Sequence, residues 1–527
     1  MTDQFFGKPF WIVLGGLAAM FFLSIFLFKT VLALPFLFLV IIAAASITYW
    51  RPEYGILTAF AELFAHSHGH AVSASLFGFS FSLRMAIFVG VMLGYAALLL
   101  FKKAAFPWRD RRLRAFLPLF GGILIGFLIG VLRHPVLEAF KDGNAYLYLA
   151  YVFPILSIEW TSVRKRLLIQ TLFGASFWVV MLTLGLLFVF AHFSAGALSP
   201  IYAFIRDTRT GELTSMGNGI FRIFLQSQFS AAVSLLIFFI FGWLVLPFAK
   251  QARVSVPWLS AAAMLFSAIF ISLSRSLWIG ILGSGLFAVL LIAWRERPNL
   301  RASVATAGRA VASVALGFFL LVLVVMVPPR RASFQGISSL ISARATTSED
   351  VAVSSRWNLL SPLMEEIREA PILGKGFGEP VTFLTDDPRA RAISPDGTWT
   401  ATAFEWGWLD VWLKTGLPGV IGFFLLLWAM ARGLWPEKQS PQAWIGYGAA
   451  TSLFMLYLTN IFTPYLNHPL GLGLVLFWIP FLKQKAAVLV FAKTAVLETA
   501  VQTNAAPVMS ACPRMNLGES VGEEPSA

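Results

Sequence analysis

Charge is what this sequence has least of. Only 13% of its 527 residues are Asp, Glu, Lys or Arg, against 58% hydrophobic. A soluble globular chain carries about a quarter charged residues, so a soluble domain of this size is excluded and a polytopic membrane protein remains. Cysteine is nearly absent too. The single Cys512 rules out an intramolecular disulfide framework, even for segments outside a cell. Acids are fewer than bases, 26 against 40, leaving a net charge of +14. A nucleic-acid partner would need those bases gathered on one domain, but they fall in short clusters between apolar runs, where they orient helices in a bilayer. No small-residue cleavage site follows the first apolar run, Phe10 to Phe28. That run is long enough to span, and reads as a first transmembrane helix rather than a removable signal.

What is abundant is apolar sequence in lengths of about 20 residues, with 51 Phe and 18 Trp in the whole chain. Spans are expected at 10–28, 31–49, 82–101, 116–132, 145–160, 167–192, 222–247, 257–273, 276–294, 309–327, 407–431, 443–462 and 466–482. Tyr54 to Ala65 is short and carries Glu62, so it is either a tilted span or a re-entrant piece. The fold class predicted is all-α: a polytopic membrane protein with 13–14 transmembrane helices and one large extracytoplasmic loop containing an amphipathic helix. Four basic clusters set the orientation: Lys102 to Arg114, Arg164 to Arg166, Lys250 with Arg253, and Arg295 to Arg301. With these in the cytoplasm, the 193–221 loop, the Ser274-Arg275 turn, the 328–404 insertion and the Thr463–His468 turn all lie outside. The domain reading is 1–327 transmembrane helices, 328–406 extracytoplasmic loop contributing to a site, 407–485 C-terminal transmembrane helices and 486–527 a partly disordered cytoplasmic tail.

The insertion is the least membrane-like stretch, and a pure anchor gains nothing from it. Trp357, Leu360, Met364 and Ile367 recur at helical spacing with Glu365, Glu366, Arg368 and Glu369 between them, which predicts an amphipathic surface helix. Pro362 is expected to kink it or start a fresh turn, and Pro371 to end it. Gly374, Gly376 and Gly378 fit neither phosphate-loop pattern and read as a structural turn. Asp386-Asp387 and Asp396 read as solvated loop acids, and His66, His68 and His70 lack the partners of a metal site, so no metal is expected.

Three arginines fall on the outer side where spans begin or the insertion folds back: Arg222, Arg275 and Arg356. Guanidinium forks grip phosphate oxygens bidentately and stay charged when partly desolvated, which suggests a polyanion such as a lipid-linked diphosphate. Interfacial arginines also snorkel to headgroups or cap helices. Arg275 fits that bland role worst, because it interrupts an apolar run from Val256 to Trp294.

In order, Arg222, Ser274-Arg275 with Leu277-Trp278-Ile279-Gly280, Arg356-Trp357, Ala370 to Gly378, and Leu409 to Gly419 ending Lys414-Thr415-Gly416-Leu417-Pro418-Gly419 resemble the O-antigen ligase and polymerase family of bacterial membrane glycan enzymes. The resemblance covers roughly residues 200–430. It implies a metal-independent and cofactor-independent glycosyltransferase of the bacterial inner membrane. The donor it implies is an undecaprenyl-diphosphate-linked glycan, the acceptor a glycan, lipid or protein, and the working face the periplasmic or outer one. It also implies that Arg222, Arg275 and Arg356 hold the diphosphate. One position departs from the family: Glu405-Trp406 stands where a His-Asn pair is usual. Glu405 either replaces that histidine as general base, its pKa raised by an apolar boundary, or is a loop acid beside Trp406 and Trp408. Asp410 and His468 are auxiliary candidates. The competing reading is a transporter or flippase of lipid-linked saccharides, which should show related halves around a midplane site; no internal repeat is evident.

Overall fold

The computed structural model describes residues 2–76, 79–216, 220–245, 256–328, 351–385, 388–438, 440 and 442–483. The expectations for Lys250, Arg253, Asp386-Asp387, the start of the insertion and the C-terminal tail with Cys512 lie outside the described residues. Fifteen α-helices of ten residues or more are present among those described: α1 Lys8–Leu27, α2 Ala33–Trp50, α3 Pro52–Ala65, α4 Leu83–Leu100, α5 Leu117–Arg133, α6 Ser162–His192, α7 Ala195–Asp207, α8 Gln228–Leu244, α9 Val256–Ile271, α10 Arg275–Glu296, α11 Leu300–Met326, α12 Val351–Glu369, α13 Gly407–Leu434, α14 Ala443–Thr459 and α15 Pro469–Trp478. Three antiparallel hairpins join them: β1 Ser73–Leu76 with β2 Phe79–Ser82, β3 Glu212–Ser215 with β4 Phe221–Phe224, and β5 Val381–Leu384 with β6 Thr398–Ala401. The all-helical polytopic class is as expected.

Of these helices, 7 are long and apolar enough to cross a membrane (α1, α2, α4, α6, α10, α11 and α13), and shorter apolar helices run over 117–133, 228–244, 256–271 and 469–481. The expected span at 145–160 is instead a 3-10 helix, Asn144–Tyr151, followed by the six-residue helix Val152–Ser157. Pro154 sits inside this stretch and removes a backbone donor. The Tyr54–Ala65 ambiguity resolves as α3, whose 14 residues extend only about 21 Å, short of a bilayer core. It is buried among α2, α4 and α6, and Glu62 is held there by Arg84 at 3.0 Å.

α5 and α13 pack with almost no gap, because Gly122, Gly126 and Gly130, spaced by four, share one face of α5. A Cβ on Gly126 would lie 2.3 Å from the Lys414 carbonyl oxygen. α13 is not one continuous helix. Gly416 has φ 62° and ψ −168°, a break only glycine tolerates easily, and the insertion fills the gap: Leu417 N donates to Ile372 O at 2.9 Å and Lys375 N to Leu413 O at 2.7 Å. The glycine turn is structural as expected, with Gly374, Gly376 and Gly378 all at positive φ; at Gly376 a side chain would meet the Gly130 backbone nitrogen at 2.3 Å.

The insertion's helix forms, but its buried face is turned by one position. Leu359, Leu363 and Ile367 are buried against Val381, Phe404 and Leu413, whereas Trp357 is 60% exposed and meets the Trp406 ring edge-on at 5.5 Å. Pro362 lies within α12 without ending it. Asp396 bonds Ser394 and Thr398 in an exposed turn.

Candidate active site

At the end of the helix bundle where α13 begins lies a cavity of about 680 Å³, walled by His68, Arg206, Arg209, Gln226, Glu405 and Thr463 among others. Each wall comes from a different segment. His68 sits in the turn after α3, and Arg84 shapes that turn by donating to the His66 and Ser67 carbonyls at 2.5 and 3.3 Å while paired with Glu62. Arg206 closes α7, and Arg209 follows it at φ 50°. Glu405 and Thr463 bring in the start of α13 and the turn before α15.

None of the three predicted arginines lines this cavity, but each lies beside a residue on its wall or in contact with it. Arg222 does not open a span as expected, because α8 starts only at Gln228. It lies on β4, which pairs antiparallel with β3 and sets Arg222 opposite Thr214. From there its Nε donates to Ser272 O at 2.9 Å, its guanidinium covers the Phe224 ring at 5.0 Å, and it lies 3.9 Å from Glu212 on the cavity wall. That bond pins the turn before Arg275, where Leu273 takes φ 47°, a left-handed conformation costing a non-glycine residue about 1–3 kcal/mol. Arg275 begins α10, and its neighbour Ser276 accepts from Thr463 of the cavity wall at 2.9 Å. Arg356 pairs through Nε with Glu405, and its carbonyl accepts from Trp406 Nε1 at 2.9 Å. The apolar boundary expected around Glu405 is not found: its side chain is 52% exposed and held by Arg356.

Asp410 is not on the cavity. It is buried one turn into α13 with Lys414, whose Nζ lies 2.8 Å from Asp410 and 2.6 Å from Asp142. Asn467 donates to Asp410 and accepts from Tyr146 OH at 2.8 Å, while Gly378 N donates to Asp142 at 2.8 Å. This network ties α13, the 374–378 turn and the 463–468 turn into one body. His468 is half-buried; its Nδ1 accepts from Leu470 N at 3.2 Å, capping α15, and its ring meets His68 edge-on at 5.2 Å.

Sequence reading passed over Arg84, Arg206, Arg209 and Asp142. The only signal for Arg84 was a lone base just inside an apolar run, beside the equally isolated Glu62. Of the alternating histidines only His66 is buried, His70 is half-buried and His68 faces the cavity. Among the described residues no group of three or more His, Cys, Asp or Glu could hold a metal.

Burial lowers the His68 pKa from its ordinary 6.5 to about 4, with Arg84 and Arg209 adding to the shift. Burial also lowers His66, and takes His468 well below the usual range. In an unfolded chain each would take up a proton near 6.5, so unfolding binds protons at lower pH. Stability is therefore full above about pH 6.5 and falls as pH drops below it. Thermal melts of the purified protein at pH 7 and pH 5 are expected to show the lower midpoint at pH 5, and His68→Gln to shrink the gap. Equal midpoints would exclude buried neutral imidazoles.

Residues 259–424 match the family model described as O-antigen ligase. The match runs from α9 into α13 and takes in Arg275, Arg356, the glycine turn and Glu405, leaving Arg222, His68 and His468 outside it. No curated protein matches the chain. On that match and its mostly helical, apolar architecture, this is a multi-pass membrane protein whose residues 259–424 are similar to the O-antigen ligase family.

Proposed function

We propose that this protein is a glycosyltransferase that transfers or polymerises undecaprenyl-diphosphate-linked glycan at the outer face of the cytoplasmic membrane. The observation that supports the reading is that Arg222 beside Glu212, the start of α10 beside Thr463, and Arg356 paired with Glu405 each adjoin the wall of one cavity. Its orientation rests on the opposite end, where Arg112, Lys165 and Lys483 line one cavity and Arg295 donates to Pro436 of that wall at 2.6 Å. Basic clusters favour the cytoplasm, which supports an outer position for the Glu405 cavity.

An acceptor hydroxyl attacks the anomeric carbon. The bond from that carbon to the diphosphate oxygen breaks, its electron pair leaves with the diphosphate, and the hydroxyl proton passes to Glu405. Arginines stabilise the charge that grows on the leaving group, where fixed positive charge lowers the barrier most. The donor carries its own leaving group, so no nucleotide is consumed. In the resting geometry Arg356 occupies the base, and an incoming diphosphate competes with Glu405 for that guanidinium. Donor binding thus releases the carboxylate when an acceptor can be used.

One observation favours the transport alternative: α13 is broken in mid-course, as transporter helices are at substrate sites. Yet the break is filled by Ile372 to Gly374 of the insertion, leaving no ligand space there. Glycan analysis of a strain lacking the protein separates the readings. Unextended or untransferred lipid-linked glycan accumulating outside the membrane is expected; accumulation inside would replace the enzyme with a transporter.

A further inference from the structure

A second cavity, of about 140 Å³, lies at the far end of α13, where α5 and α13 part beyond their glycine contact. Its floor is apolar, formed by Phe116, Pro118, Leu425, Ala429 and Met430, and its rim is cationic: Arg111, Arg112, Arg114, Arg432 and Lys483. No acidic residue lines it. Two of the five cations are already neutralised, Arg112 by Asp110 at 2.6 Å and Lys483 by Glu437 at 2.8 Å. The side chains of Arg111 and Arg114 are exposed and make no hydrogen bond or ion pair with any described residue. Arg432 lies 4.3 Å from the ring centre of Trp428, which is itself 55% exposed.

We infer that this groove binds an anionic phospholipid of the adjoining leaflet, its phosphate on Arg111, Arg114 and Arg432 and one acyl chain along Leu425, Ala429 and Trp428. Charge complementarity selects the occupant. Three uncompensated guanidiniums repel one another unless an anion joins them, and guanidinium forks match phosphate oxygens. The apolar floor selects a lipid over a free anion, since a soluble phosphate leaves Leu425 and Trp428 uncovered. Position agrees, because a basic pocket between helices at the cytoplasmic boundary meets the anionic leaflet. The groove is remote from the proposed catalytic cavity: α13's 28 residues put roughly 40 Å between their ends. The inference therefore stands whether or not the glycan reading holds.

The test is native mass spectrometry of the full-length protein in detergent, titrated with phosphatidylglycerol or phosphatidylcholine of matched chains. Tighter binding of phosphatidylglycerol by at least tenfold is expected, lost in R111Q/R114Q/R432Q and kept in K102Q/K103Q, which removes two exposed charges outside the groove. Ala429→Trp, which fills the floor and leaves every charge in place, is expected to cost a similar factor and provides an independent check on folding effects in the triple variant. Millimolar inorganic phosphate is expected not to displace the lipid. Unchanged binding in the triple variant or in Ala429→Trp, equal loss in K102Q/K103Q, equal affinity for phosphatidylcholine, or displacement by inorganic phosphate would each overturn the inference.

Discussion

Arg275→Ala is expected to lower glycan transfer by about 10²–10³-fold while leaving the protein's abundance and melting temperature unchanged. Removing one preorganised group that meets charge developing in a transition state typically costs that much, and Arg275 is half-buried at the head of α10, where little else could replace it. Its backbone is specified from two sides, by Arg222 donating to Ser272 and by Thr463 donating to Ser276. Such positioning makes sense for a side chain that must meet a ligand and is wasted on one that only snorkels. Arg275→Lys keeps the charge but loses the bidentate fork, so it is expected to recover only a small part of the rate. The measurement is transfer from a lipid-linked glycan donor in reconstituted membranes, with donor binding read in parallel. Full activity in Arg275→Ala would sink the diphosphate reading, whatever Arg356 does.

How much of this was legible beforehand depends on what each residue needs around it. Membrane class and helix content follow from composition, because a bilayer imposes spanning length and hydropathy on the chain directly. The glycine turn was legible as a turn, since three alternating glycines permit a path few other residues could follow. Its partner was not: Gly416 reads as an ordinary glycine in a span until the insertion is seen docked into the break it makes. Arg222 lies on a strand rather than at a helix start, because one base among three apolar residues at the edge of a long hydrophobic run looks like the first turn of that run. The buried face of α12 differs by one position from the one its apolar spacing predicts, because Trp357 stays outside the core. Its ring instead finds Trp406, a contact 49 residues away in sequence that no local pattern announces. Asp142 and Lys414 form a buried ion pair 272 residues apart; neither carries a local signal of the other.

Glu405→Gln is expected to lower turnover by about 10²-fold or more while donor affinity does not weaken. The amide keeps the shape and much of the hydrogen bonding but cannot accept the hydroxyl proton, a loss worth about 10²–10⁴-fold where a general base is used. Donor affinity is expected to hold because the proposed site rests the diphosphate on guanidiniums, and Gln competes for Arg356 less strongly than the carboxylate now does. Glu405→His is expected to retain measurable activity, since imidazole is a competent base near neutral pH. The structure adds a rival on the same wall. On the Glu405 reading, His68→Gln is expected to cost less than about tenfold, through lost positioning alone. The two variants measured together, under single-turnover conditions with saturating donor, decide between the groups. A dead Glu405→Gln beside an active His68→Gln assigns proton removal to the carboxylate that Arg356 guards. The reverse pattern would move the base to His68 and leave Glu405 as the partner that parks Arg356 until a diphosphate arrives.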